Sequence, residues 1–210
     1  LDEIGLAEQS PFMPLKVLHQ ELESKDIATV AISNFSLDAA KMNRAVFLLR
    51  STPTCFELQK TAEGIVNTQS LKNNLEPLAR SYETVYNNQK VKNFFGLREF
   101  YYLVKYINAN IRYGLTPDVL LRAVMRNFGG RDPQETTEII RTFSSRVMDI
   151  MEQVRPSNRE LIEDNLKDLK ARHLMLLTQN NAALNLLFDF NILESISDVE
   201  LIFGTDFPAD

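Results

Sequence analysis

Between Pro53 and Asp168, five successive segments repeat apolar residues every three to four positions, which commits over half of the chain to helix. They are CFELQKTAEGIV, SLKNNLEPLARSYETVYNNQKV, LREFYYLVKYINANI, PDVLLRAVMRNF and PQETTEIIRTFSSRVMDIMEQV. Thr54, Ser70, Thr116 and Asp132 stand where N-caps are needed. Pro117 and Pro133 fall in first-turn positions, where a missing N–H costs nothing. NFGGRDP is the clearest stop signal, and seven glycines in 210 residues suit a helix-rich chain.

The flanks differ in texture. Over residues 1–52, PFMPLKVLHQELESK spaces Leu15, Leu18 and Leu22 as a helix does, and IATVAIS is an uninterrupted β-branched run that predicts a buried strand. LDAAKMNR predicts a short helix and AVFLLR another strand. Strand, helix, strand, short helix, strand is a slice of an α/β sheet domain. From about residue 171 the alternation restarts, with HLMLLT and VELIFG read as strands around a helix in NNAALNLLFD. The expected organisation is therefore an α/β unit (1–52), a helical block (53–170) and the start of a second α/β unit (171–210).

Composition excludes several classes. A net charge of −5 leaves no basic excess to neutralise nucleic-acid phosphates or an anionic membrane. One cysteine, Cys55, forms no internal disulfide, and with only His19 and His173 beside it no zinc finger can be assembled. No apolar run approaches the roughly 20 residues of a membrane span, and no basic region precedes an apolar N-terminal stretch. The expectation is a soluble, cytoplasmic chain or a piece of one.

The chain opens LDEIGLAE. An exposed acidic dipeptide is the ordinary reading of Asp2-Glu3, a turn cap that of Asn34, and a surface cation that of Arg44 and Arg98. Their order carries more information than any one of them. An acidic strand end, an Asn strand end, a short helix with an Arg, a strand and a helical block is the order of an AAA+ ATPase from its acidic motif onward.

LDEIGLAE, MPLKVLH, ISNFSLDAAKMNRAVF, FFGLREFYYLVKYI, RHLMLLTQNNAAL and IFGTDFPAD resemble the AAA+ core of the mysterin family, giant ring-finger ubiquitin ligases with dynein-like tandem AAA+ modules. The resemblance spans essentially all 210 residues, and SNxxLDxAKMNR is its most specific string. It implies the C-terminal part of an AAA+ α/β core with parallel strands, then a helical lid, then the start of a following, degenerate core. It implies ATP and Mg²⁺, with Asp2 on the metal, Glu3 as catalytic base, Asn34 and Arg98 as sensors, and Arg44 as a finger acting on the preceding module. As partners it implies neighbouring AAA+ modules of the same chain, with a ubiquitin-conjugating enzyme, ligase substrates and zinc engaged by regions outside this stretch. Lipid-droplet association rests on the resemblance alone. TQNNAALN stands where a phosphate loop needs G-x-x-x-x-G-K-[ST] and lacks its glycines and lysine, so the following module is expected not to bind ATP by that route.

The departures are mild: Phe35 stands where Trp is common in the family and Ala39 where Pro is, and residues 21–26 are short. On this reading Leu1 continues a strand whose phosphate loop lies upstream, and the 210 residues alone are expected to leave AVFLLR unpaired and to fold poorly. The alternative function is a catalytically silent AAA+ scaffold that positions the ligase or a partner.

Overall fold

The computed structural model describes residues 1–24, 26–91, 93–169, 171, 173–176, 178 and 182–202. These residues divide into two units, Leu1–Thr52 and Pro53–Asp210.

In the first unit, α1 (Ile4–Glu8) follows directly on the acidic pair. A 3-10 turn opened by Pro14 at its first position leads into α2 (Leu18–Ser24). Asp38 caps α3 (Ala39–Met42) by accepting from the Lys41 amide at 3.0 Å. Only Ile4, Gly5 and Lys41 are buried among the described residues of this unit.

Here the α/β expectation fails: no strand or sheet forms among the described residues, and the fold is helical. The nearest approach is one parallel rung, in which the Leu1 nitrogen donates to Val30 O at 2.8 Å and the Ile32 amide donates back to Leu1 O at 3.0 Å. Glu3 then turns into the left-handed region (φ 49°), and the next bond comes from Ile4 to Ile32 O at 3.1 Å, so no ladder continues. A β-branched run meets the side-chain half of a parallel strand's requirement; the other half is backbone partners alongside and cover on both faces. Val30 is 81% exposed and Val46 91%, and no segment among the described residues hydrogen-bonds to Val46–Arg50.

Within the second unit, the segments of 53–168 read as helical do form helices. The unit contains α4 (Cys55–Ile65), α5 (Gln69–Lys72), α6 (Leu75–Asn88), α7 (Leu97–Asn110), α8 (Pro117–Phe128), α9 (Pro133–Arg146), α10 (Asn158–Lys167) and α11 (Ala182–Asp189). Thr54, Thr116 and Asp132 cap α4, α8 and α9 as expected. Ser70 does not cap a helix; it lies within α5, and Asn73-Asn74 separate that turn from α6. The last periodic segment was expected to run to Val154, yet α9 ends at Arg146. Ser144 and Asp149 bond each other at 2.9 Å and take the amides of Ile150 and Met151, which draws the chain out of the helix.

Buried residues at helical spacing make the core: Phe100, Leu103, Val104 and Ile107 of α7 face Leu120, Leu121, Val124 and Phe128 of α8. α6 packs on α4 and α9, and α8 on α9. Phe128 is the aromatic hub, with ring centroids 5.2 Å from Phe95, 5.8 Å from Phe143 and 6.4 Å from Tyr82.

α10, which the apolar periodicity did not reveal, buries only Ile162 and is held by charge instead. Arg122 of α8 bonds Glu160 at 2.9 Å, Tyr106 of α7 donates to Asp164 at 3.0 Å, and Arg126 pairs with Asp168 at 2.7 Å. Burial, then the Asp164 carboxylate, pushes the Tyr106 hydroxyl up to about 12. The Ser157 amide, then Arg122, pulls Glu160 down to about 2 from its ordinary 4.5. A carboxyl depressed in the folded state stabilises it above its unfolded pKa and loses that contribution as pH falls through the folded value. Acid denaturation is thus expected to weaken this unit between pH 4.5 and 2, and Glu160→Gln to flatten that limb in melts across the range. An unchanged acid limb in the variant would remove Glu160 from the account.

In 171–210 the predicted strands are likewise absent from the described residues: His173 and Met175 are exposed and irregular, and 199–202 form no strand. The rest of HLMLLT (177), of VELIFG (203–204) and of the phosphate-loop position (179–181) lies outside the described residues.

Candidate functional site

Asp2 and Glu3 are both exposed at the entry to α1. Asp2 Oδ1 accepts the Glu3 amide at 2.9 Å, so this carboxylate fixes the backbone turn that delivers Glu3. The left-handed Glu3 backbone costs roughly 1–2 kcal/mol in a non-glycine residue. Gly5 holds the turn in place by close approach: a Cβ there would lie 2.3 Å from Ser33 Oγ and 3.0 Å from Phe35 Cβ. Ser33 cannot easily yield, because its hydroxyl donates to Phe35 O at 2.5 Å and accepts from the Phe35 amide at 3.1 Å. Together with the bonds of Leu1 and Ile4 to Val30 and Ile32, this seats the acidic pair beside the Ser33-Asn34-Phe35 bend. Asn34 is exposed there, with no partner for its side chain among the described residues.

Arg44 lies two residues beyond α3. Its Nε donates to Glu23 Oε1 at 2.6 Å and its Nη1 to Ala40 O at 2.6 Å. α3 is itself anchored, since the buried Lys41 ammonium pairs with Glu8 Oε1 at 3.1 Å and with Asp38. Asp38 raises Lys41, and Lys41 holds the Asp38 carboxyl well below the usual carboxylate range. Glu8 ends the helix that Glu3 begins, so one ionic link joins the helix after the acidic turn to the helix that precedes Arg44. Sequence reading missed this link. The Asp38–Lys41 spacing of three residues is legible as a helical pair, but Glu8 lies 33 residues away.

Arg98 belongs to the second unit. It is exposed in the first turn of α7, with no hydrogen bond or ion pair among the described residues. The helix dipole disfavours a cation there, and Glu99 offsets it by accepting the Gly96 amide at 2.6 Å.

Asp2 and Glu3 thus precede α1, Asn34 lies in the bend beside them, and Arg44 follows α3, which the Lys41–Glu8 pair links to α1. Asp2 and Glu3 are the two carboxylates among them, and a phosphate-bound magnesium requires only one or two from a protein because substrate oxygens and water complete its shell. Among the described residues no cluster of three metal-ligating side chains occurs, and none is required for that mode. No helix among the described residues is long and apolar enough to cross a membrane.

Two distinct family models, each described as an RNF213 AAA domain, match residues 1–57 and 163–210. The mouse (Mus musculus) E3 ubiquitin-protein ligase RNF213 is 38% identical over 239 aligned residues, covering all of this chain and 4% of that protein. The human (Homo sapiens) E3 ubiquitin-protein ligase RNF213 is 35% identical over 240, with the same coverage. The zebrafish (Danio rerio) E3 ubiquitin-protein ligase rnf213-beta is 35% identical over 237, covering all of this chain and 5% of that protein. The chain thus spans about one twentieth of the length of these relatives, and the alignments exceed 210 positions because the relatives carry insertions relative to it. Similarity along the entire chain and two matches to one domain description show that it belongs to the RNF213, or mysterin, family, as a segment of that family's AAA region.

Proposed function

We propose that residues 1–52 are the hydrolytic end of an AAA+ module that turns over ATP inside a giant E3 ubiquitin-protein ligase. Glu3 accepts a proton from the attacking water, Asn34 orients that water or the γ-phosphate, and Arg98 contacts the nucleotide from the lid. Asp2 would hold Mg²⁺, which when bound would offset phosphate charge. Arg44 acts in trans on the site of the preceding module. The observation that carries this reading is the seating of Asp2-Glu3 against the Asn34 bend by three backbone bonds and the Gly5 contact. Ubiquitin transfer, the ubiquitin-conjugating enzyme, zinc and ligase substrates belong in the proposal to other regions of the protein. So does the cytoplasmic or lipid-droplet setting.

Glu3→Gln in the intact protein tests it. Removing a general base lowers the rate about 10²–10⁴-fold while leaving a neutral side chain of the same size. The expected result is retained ATP binding with ATP trapped at this module, read as a bound ATP-to-ADP ratio. Normal ADP formation there would remove Glu3 as the base, whereas no ADP formation at this module even in the parent protein would favour the silent scaffold.

A further inference from the structure

Five N–H donors surround an arginine guanidinium. In Arg44, Nε and Nη1 each spend one donor on the unit's own residues, Glu23 Oε1 from α2 and Ala40 O from α3, both at 2.6 Å. Two anchors from two elements fix both the position and the plane of the fork. The two Nη2 donors and the second on Nη1 have no partner among the described residues. The Arg44 side chain is 31% exposed and that of Glu23 60% exposed. An ion pair so open to water contributes little to folding, so holding the unit together is not its main effect. Restricting where a long, rotamer-rich side chain points is the effect that remains.

We propose that Glu23 is the positioning residue for Arg44, fixing its Nε edge so that the Nη2 edge is presented to the terminal phosphate of a nucleotide on the neighbouring module. The proposal rests on the reading of Arg44 as a finger. Ala40 O contributes through the backbone and survives any side-chain change, which makes Glu23 the point at which orientation can be removed alone. A finger acts by donors already in place when charge develops, so one that must search for its geometry loses rate more than affinity.

The test uses the intact protein in a double-mutant cycle of Glu23→Ala and Arg44→Ala, with ATP hydrolysis and nucleotide affinity measured for each. Glu23→Ala is expected to lower kcat about tenfold, with KM and affinity unchanged, since side-chain misplacement by an ångström costs up to about 10²-fold. Glu23→Asp restores part of the rate. The double variant hydrolyses no more slowly than Arg44→Ala alone, because Glu23 acts only through that arginine. A further loss in the double variant, a raised KM, or faster hydrolysis in Glu23→Ala overturns the positioning role. An Arg44→Ala protein with normal turnover overturns the finger reading itself, which separates the two failures.

Discussion

Replacing Arg44 with alanine in the intact protein is expected to slow ATP hydrolysis at the preceding module by about 10³–10⁵-fold, the loss typical of arginine fingers. The physical reason is charge development. Negative charge on the transferring phosphoryl oxygens is met in the transition state by a guanidinium that makes weaker contacts in the ground state. Affinity for ATP should therefore change little, since most binding comes from the phosphate loop of the site that holds the nucleotide. The assay is single-turnover hydrolysis beside equilibrium binding of a fluorescent nucleotide. Arg44→Lys keeps the charge but not the fork, and should recover only a small part of the rate. Equal losses in rate and affinity would make Arg44 a binding residue instead.

Phe128→Ala should cost the helical unit about 3–5 kcal/mol, because it removes a fully buried ring and opens a cavity that its surroundings cannot fully close upon. Three ring contacts go with it, to Tyr82, Phe95 and Phe143. For a unit of this size the midpoint of thermal unfolding should fall by roughly 10 °C. Tyr82→Phe serves as the control in the same cluster. Its buried hydroxyl has no partner among the described residues, so deleting that oxygen should leave the midpoint level or raise it. A Phe128→Ala melt within a degree of the parent would contradict the hub role.

How legible each element was depended on where its determinants lie. α8 was read to both ends, since Thr116, Pro117 and the stop before Gly129 are local signals. α9 overran by eight residues because the bond between Ser144 and Asp149 ends it, and periodicity contains no information on that pair. α10 was invisible to apolar spacing, as only Ile162 enters the core and Arg122, Tyr106 and Arg126 of other helices hold the rest. The β-branched runs misled in the opposite sense. IATVAIS and AVFLLR describe side chains fit for a buried sheet, but a sheet is made by backbone partners, and among the described residues they have one rung between them.

The acidic pair, Asn34, Arg44 and Arg98 are candidates drawn from residue order and from strings that resemble the mysterin family. Their surroundings could not be drawn that way. That Gly5 must be bare against Ser33, that Lys41 is buried between Glu8 and Asp38, and that Glu23 grips Arg44 depend on residues 21 to 33 positions apart. By itself the sequence determined the helical block, most of its caps and the family, because periodicity, capping and shared strings are all local. Only the tertiary structure decided which charges are paired and which apolar runs are left in water. Those outcomes are set by what lies alongside a segment, and neighbours distant in the chain are not encoded in its own pattern.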